Sequence, residues 1–141
     1  MSDQERTVTE LVKAMNSLVS YLQFEGESSE MFSSGRLPTL DTEIWYDPSE
    51  NQVKYCFYEK PMCPNKVLQK DTALAESSVR ASLVQEVVRR LKGCAENLSN
   101  DEKQRVLSEF STKLVNSGHS LSSSQIILVH GTTRYNKLIQ N

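Results

Sequence analysis

The sequence predicts an α+β fold, one β-hairpin with about four helices. Three observations predict it. Polar and apolar residues alternate at period two in 40–46 and again in 53–60, with a Pro-containing polar stretch between them. Outside that region, apolar residues recur at helical spacing in four places. The chain of 141 residues divides accordingly: 1–36, an amphipathic helix and a mobile loop; 37–61, the hairpin; 62–141, a helical region.

In 7–24 the apolar residues Val8, Leu11, Val12, Met15, Leu18, Val19 and Leu22 form the stripe of an amphipathic helix. Thr7 with Glu10 has the form of a capping box, and Gly26 stands where a helix commonly ends. The expectation is a helix docked on the chain's own core, with a partner's groove as the alternative. Residues 25–35 are Ser, Glu and Gly with little to bury, which predicts a loop.

Leu37 precedes Pro38, so it is held extended and feeds the first strand. In that strand Leu40, Thr42, Ile44 and Tyr46 share one face, and Asp41, Glu43 and Trp45 the other. Val53, Tyr55 and Phe57 share a face of the second strand; Lys54, Cys56, Tyr58 and Lys60 take the opposite one. Between them Pro48 presets one dihedral, while Asp47 and Asn51 bond their own backbone, and the chain reverses. Two strands alone are marginal in water, so the hairpin must rest on helices or on further sheet.

Pro61 and Pro64 then bar a helix and bend the chain. Val79, Leu83, Val84, Val87, Val88 and Leu91 mark a helix over about 76–94, ending near Gly93. Ser99 to Glu102 form an N-cap cluster for a third helix, in which Val106, Leu107, Phe110, Leu114 and Val115 lead to Ser117, with Gly118 as left-handed cap. The last element, 125–139, reads as a helix interrupted near Gly131.

Composition bounds the rest. A chain of this length buries about 70% of its unfolded surface, and 38% apolar content is modest for that task, which suggests an elongated or partner-dependent object. The net charge is −2, but residues 1–50 carry three basic and ten acidic side chains, and 51–141 thirteen and eight. Cys56, Cys63 and Cys94 have no framework spacing and favour a reduced intracellular setting, nuclear or cytoplasmic. No apolar run approaches the roughly 20 residues of a bilayer span, so no membrane partner is expected.

No phosphate-cradling glycine loop, serine elbow, paired Asp or zinc spacing occurs, and His119 and His130 read as packed or surface residues. No catalytic residue, metal ligand or cofactor is assigned. What remains is recognition. Lys54, Tyr55, Phe57, Tyr58 and Lys60 lead into 60–92, which holds seven basic and three acidic side chains. Such a mixture can meet phosphates by charge and stack on bases or sugars. The alternative is a half-buried hairpin with a solvated edge.

Leu37-Pro38-Thr39-Leu40-Asp41, then strand, turn, strand and Tyr58-Glu59-Lys60-Pro61, resembles the segment after the catalytic palm in retroelement reverse transcriptases, Penelope-like and related. There the hairpin is a primer grip and the following helices a thumb, and Ser77-Ser78-Val79-Arg80 through Arg89-Arg90 resembles the family's helix-turn-helix region. Glu59 and Met62 depart from the family's basic residue and Thr, and its Tyr-x-Asp-Asp is absent. The resemblance implies a thumb-like fragment of a transposable element's RNA-directed DNA polymerase, inactive alone, with RNA-DNA or DNA duplex and the missing palm as partners. It implies nucleic-acid contacts by Trp45, Lys54, Tyr55, Tyr58 and Lys60 near the primer, and by Lys66, Lys70, Arg80, Arg89 and Arg90 along the duplex. A second expectation, of another class, is a small helical protein-protein interaction module without nucleic-acid binding, motivated by the acidic N-terminal helix.

Overall fold

A computed structural model describes residues 3–141, with side chains from residue 6 onward. Helix α1 (Asp3–Leu18) and a 3-10 turn (Ser29–Met31) precede strands β1 (Leu37–Thr39), β2 (Thr42–Asp47) and β3 (Gln52–Phe57). Helices α2 (Glu76–Lys92), α3 (Asn100–Asn116) and α4 (Leu121–Ile139) follow. The fold is α+β, with four helices and one antiparallel sheet in the order β1-β2-β3 among the described residues.

The core lies between α2, α3 and α4. Helical spacing puts Val79, Leu83, Val87 and Leu91 on one side of α2, where they meet Phe110 and Leu114 of α3 and Ile127 and Tyr135 of α4. Each large apolar side chain so buried adds about 1.5–3 kcal/mol. Both later helices start on a serine cap: Ser99 accepts from the Glu102 amide and Ser120 from the Ser123 amide. That second cap starts α4 four residues before the expected position. The helix also runs through Gly131 without interruption, because Gly131 is where α4 crosses α2: a Cβ there would stand 2.4 Å from Val87 Cγ1. Gly118, at φ 92°, takes the left-handed conformation its position at the end of α3 requires.

The sheet has one strand more than the hairpin. Residues 37–39 pair with β2 in the register Leu37 to Ile44 and Thr39 to Thr42, so Leu40 is not in a strand but in the reversal, at φ 57°. Pro38, lacking an N–H, fits an edge strand. The β2–β3 register runs from Thr42 opposite Phe57 to Asp47 opposite Gln52, and β3 ends at Phe57 instead of reaching Lys60. Of the two faces, the one carrying Glu43, Trp45, Lys54 and Cys56 turns inward. Cys56 and Trp45 join Cys94, Ala95, Leu98 and Val106 in a second cluster, which Phe57 closes from the strand's end. The more apolar face is left outward: Tyr46 is 57%, Val53 64% and Tyr55 41% exposed.

The connector 58–75 has no regular structure, yet side chains from the end of α3 hold it. Lys113 Nζ donates to the Pro64 carbonyl at 2.8 Å, Asn116 to Asn65, and Val67 N–H donates to Ser117 Oγ. His119 is buried, with Nε2 2.9 Å from the Leu68 carbonyl oxygen.

Helix α1 departs most from expectation. It spans Asp3–Leu18, so Thr7 lies inside the helix and not at its start, and the helix stops well before Phe24. The Asn16 side-chain amide receives the Phe24 N–H at 2.6 Å and donates to the Phe24 carbonyl at 3.1 Å, folding residues 19–24 back along the helix. Gly26 does not cap the helix; it packs against Val8 and Val12 so closely that a Cβ would stand 2.5 Å from Val12. The helix does not dock on the core: the 3-10 turn is the element it chiefly meets. No described helix is long and apolar enough to cross a membrane.

Candidate functional site

The residues expected to touch nucleic acid separate into two groups. Trp45 is half-buried on the inner sheet face with the Arg36 guanidinium 3.8 Å above its ring. Arg36 is held there by Glu43 at 2.9 Å and Glu102 at 2.7 Å, and Arg105 bridges the same two carboxylates at 3.5 and 3.1 Å. The Arg36 bond holds the Glu102 carboxyl below its ordinary range, against burial. Lys54 pairs with Asp47 at 2.9 Å and Glu50 at 3.2 Å. Arg89 bonds Glu86 and Asp41, at 2.7 and 2.8 Å.

Arg90 is buried. It sits between the Phe57 and Phe110 rings, 4.6 and 4.8 Å from their centroids, and pairs with Glu86 and with Glu59. Glu59 in turn bonds the buried Lys113 at 2.9 Å. A cation already matched by a carboxylate has little field left for a phosphate, so Lys54, Arg89 and Arg90 act as internal ties between sheet, connector and helices.

The other group faces outward. Lys60, Lys66, Lys70 and Arg80 are exposed and have no carboxylate partner within 4 Å among the described residues. Lys70 and Arg80 share a cavity of about 30 Å³ between α2 and α4, with His119, Ser123 and Glu76 on its wall. That volume admits a few waters. Lys60 lines a separate hollow against α3. Tyr55 stands on the open sheet face, and Tyr58 is half-buried, its N–H donating to the Asp41 carbonyl at 2.8 Å.

The chain matches no protein-family model, no curated protein and no solved structure. Its own geometry therefore carries the functional reading.

Exposed apolar side chains are frequent in the N-terminal part of the chain. Leu11 is 59%, Leu18 79%, Tyr21 85% and Leu22 50% exposed, with Phe24 and Met31 beside them in sequence. Segment 19–31 covers the other flank of the same stripe, at Val8 and Val12. Periodicity singles out Leu11, Leu18 and Leu22 but not Tyr21, Phe24 or Met31, and nothing in the sequence says that the core leaves them uncovered. Arg36, Glu59, Lys113 and the facing Cys56 and Cys94 were not anticipated as interacting groups. Their partners lie 7 to 66 residues away, a separation that no local pattern reveals.

Proposed function

We propose that the chain is a small protein-protein interaction module that offers the amphipathic α1, braced by residues 19–31, to an apolar groove on a partner protein inside the cell. One observation carries this reading: the helix with the strongest apolar stripe stands off the α2–α4 core, leaving Leu11 and Leu18 mostly in water. A helix of 16 residues is marginal on its own, and a groove that buried those side chains would supply the missing packing. The internal matching of Lys54, Arg89 and Arg90 supports the same reading, because it removes charge that a nucleic acid would use.

A photo-crosslinker placed at Leu18 tests it, with the same group at Lys13 as control. Crosslinks at position 18 should exceed those at 13, be competed by a peptide spanning 3–24, and vanish in the Leu11→Asp/Leu18→Asp variant while urea unfolding stays within about 0.5 kcal/mol of the parent. Equal crosslinking at the two positions would sink the proposal, as would a variant that unfolds the core.

A second reading keeps the reverse-transcriptase resemblance: a primer and template holding fragment of such a polymerase, with a duplex and the absent palm as partners. The unmatched Lys60, Lys66, Lys70 and Arg80 favour it. Filter binding of an RNA-DNA hybrid at two salt concentrations separates the readings, since phosphate contacts weaken as salt rises. Binding that falls with salt and is lost in a Lys70→Ala/Arg80→Ala variant would support the fragment; no binding at low salt would remove it.

A further inference from the structure

Cys56, in β3, and Cys94, just beyond the cap of α2, hold their Sγ atoms 3.4 Å apart although they are 38 positions distant in the chain. Both are buried. The Ala95 N–H donates to the Tyr55 carbonyl at 2.9 Å, so the chain neighbours of the two cysteines are already bonded to each other. Arg105 Nη2 stands 3.8 Å from Cys56 Sγ, and the Cys94 thiol donates to the Arg90 carbonyl at 3.5 Å. Cys94, though its side chain is buried, also borders a surface groove lined by Tyr55, Tyr135 and Leu138. The third cysteine, Cys63, is exposed and takes no part in the pair.

We propose that Cys56 and Cys94 form a redox-active pair that a small-molecule disulfide closes into an intramolecular disulfide, stapling the sheet to the helical core. The two sulfurs have separate roles. The Cys56 thiol hydrogen-bonds Cys94 and, with the Phe57 amide, Lys103 and Arg105, brings its titration down to about 7 against the effect of burial; the same Cys94 contact, and burial, push Cys56 up. Cys94, which borders the surface groove while Cys56 does not, is assigned the attack. It bonds to one sulfur of the oxidant and expels the other as a thiolate, which takes up a proton. Cys56, losing its proton, then attacks Cys94 Sγ and expels the second thiol. Two thiols of the protein are oxidised and one disulfide of the reagent is reduced to two thiols.

Sheet and helical core share the buried cluster of Cys56, Phe57, Cys94, Ala95, Leu98 and Val106, beside ion pairs such as Glu43–Arg105, so a covalent bond at its centre adds a fixed tie under Trp45.

Glutathione disulfide, added to the full chain carrying Cys63→Ser, tests this. In the folded chain both thiols should disappear together, without an accumulating glutathione adduct, and peptide mapping should join residues 56 and 94. The equilibrium constant for closure should exceed that of the same chain in guanidinium by about a hundredfold or more, as a loop of this length implies. A Cys56→Ala variant should stall as a glutathione adduct on Cys94. A folded chain that keeps both thiols under conditions that oxidise the unfolded one would overturn the proposal. So would a parent chain that stalls as the adduct, or a closure constant no larger folded than unfolded.

Discussion

At the scale of single residues, the contact between Gly131 and Val87 governs how near α4 comes to α2. A Cβ at 131 would lie 2.4 and 2.5 Å from two Val87 atoms, so Gly131→Ala must push the helices apart or turn Val87 off its rotamer. The expected loss is about 1–3 kcal/mol, measured by urea unfolding; an unchanged midpoint would show that α2 yields freely. Glu59 is a different kind of residue: it closes the charge of Lys113 and Arg90, both nearly without solvent contact. Glu59→Gln leaves Lys113 with only the Pro64 carbonyl and should cost about 3 kcal/mol. Pairing it with Lys113→Met should recover part of that loss in a double-mutant cycle, because no buried ammonium then stands without its counter-charge. Gly131 was visible in the sequence as an anomaly within a helical run, but as a break. Only the crossing with α2 shows why a residue without a side chain is needed there.

Among elements, the β2–β3 reversal carries a pH dependence with a definite sign. The Ser49 hydroxyl and then the Lys54 ammonium hold the Asp47 carboxyl at about 2, below its ordinary 3.8. A carboxyl lowered in the folded state adds stability above its unfolded value and loses it as the pH falls through the folded one. The hairpin should therefore loosen between about pH 4 and pH 2, seen as loss of the Lys54–Asp47 contact by NMR, with an Asp47 titration midpoint near 2. Asp47→Asn should remove that limb, and a midpoint at the ordinary value would show that the Ser49 and Lys54 bonds do not form. The hairpin itself was legible, since alternation at period two is a property of neighbours along the chain. Its third strand was not: three residues containing Pro38 are too few to alternate, and they are a strand only because β2 lies beside them.

For the whole molecule, unequal burial predicts unequal opening. The α2–α4 core encloses Val87, Phe110, Leu114 and Ile127 almost fully, whereas α1 rests on its own following segment. Native-state hydrogen exchange should protect amides of α2 and α4 to nearly the global unfolding free energy and those of α1 far less. Equal protection throughout would mean that α1 folds as part of the core. Here the division between chain and fold is plain. The stripes of α2 and α3, the Ser99 cap, the reversal at Pro48 and the class of fold follow from residues within a few positions of one another, and the sequence by itself determined them. Three other matters were decided only in the tertiary structure: which sheet face turns inward, which cations find carboxylates, and whether α1 docks. Each depends on groups brought together from distant parts of the chain, where packing and Coulomb energy, summed over partners that no local pattern names, select among the arrangements that local preference allows.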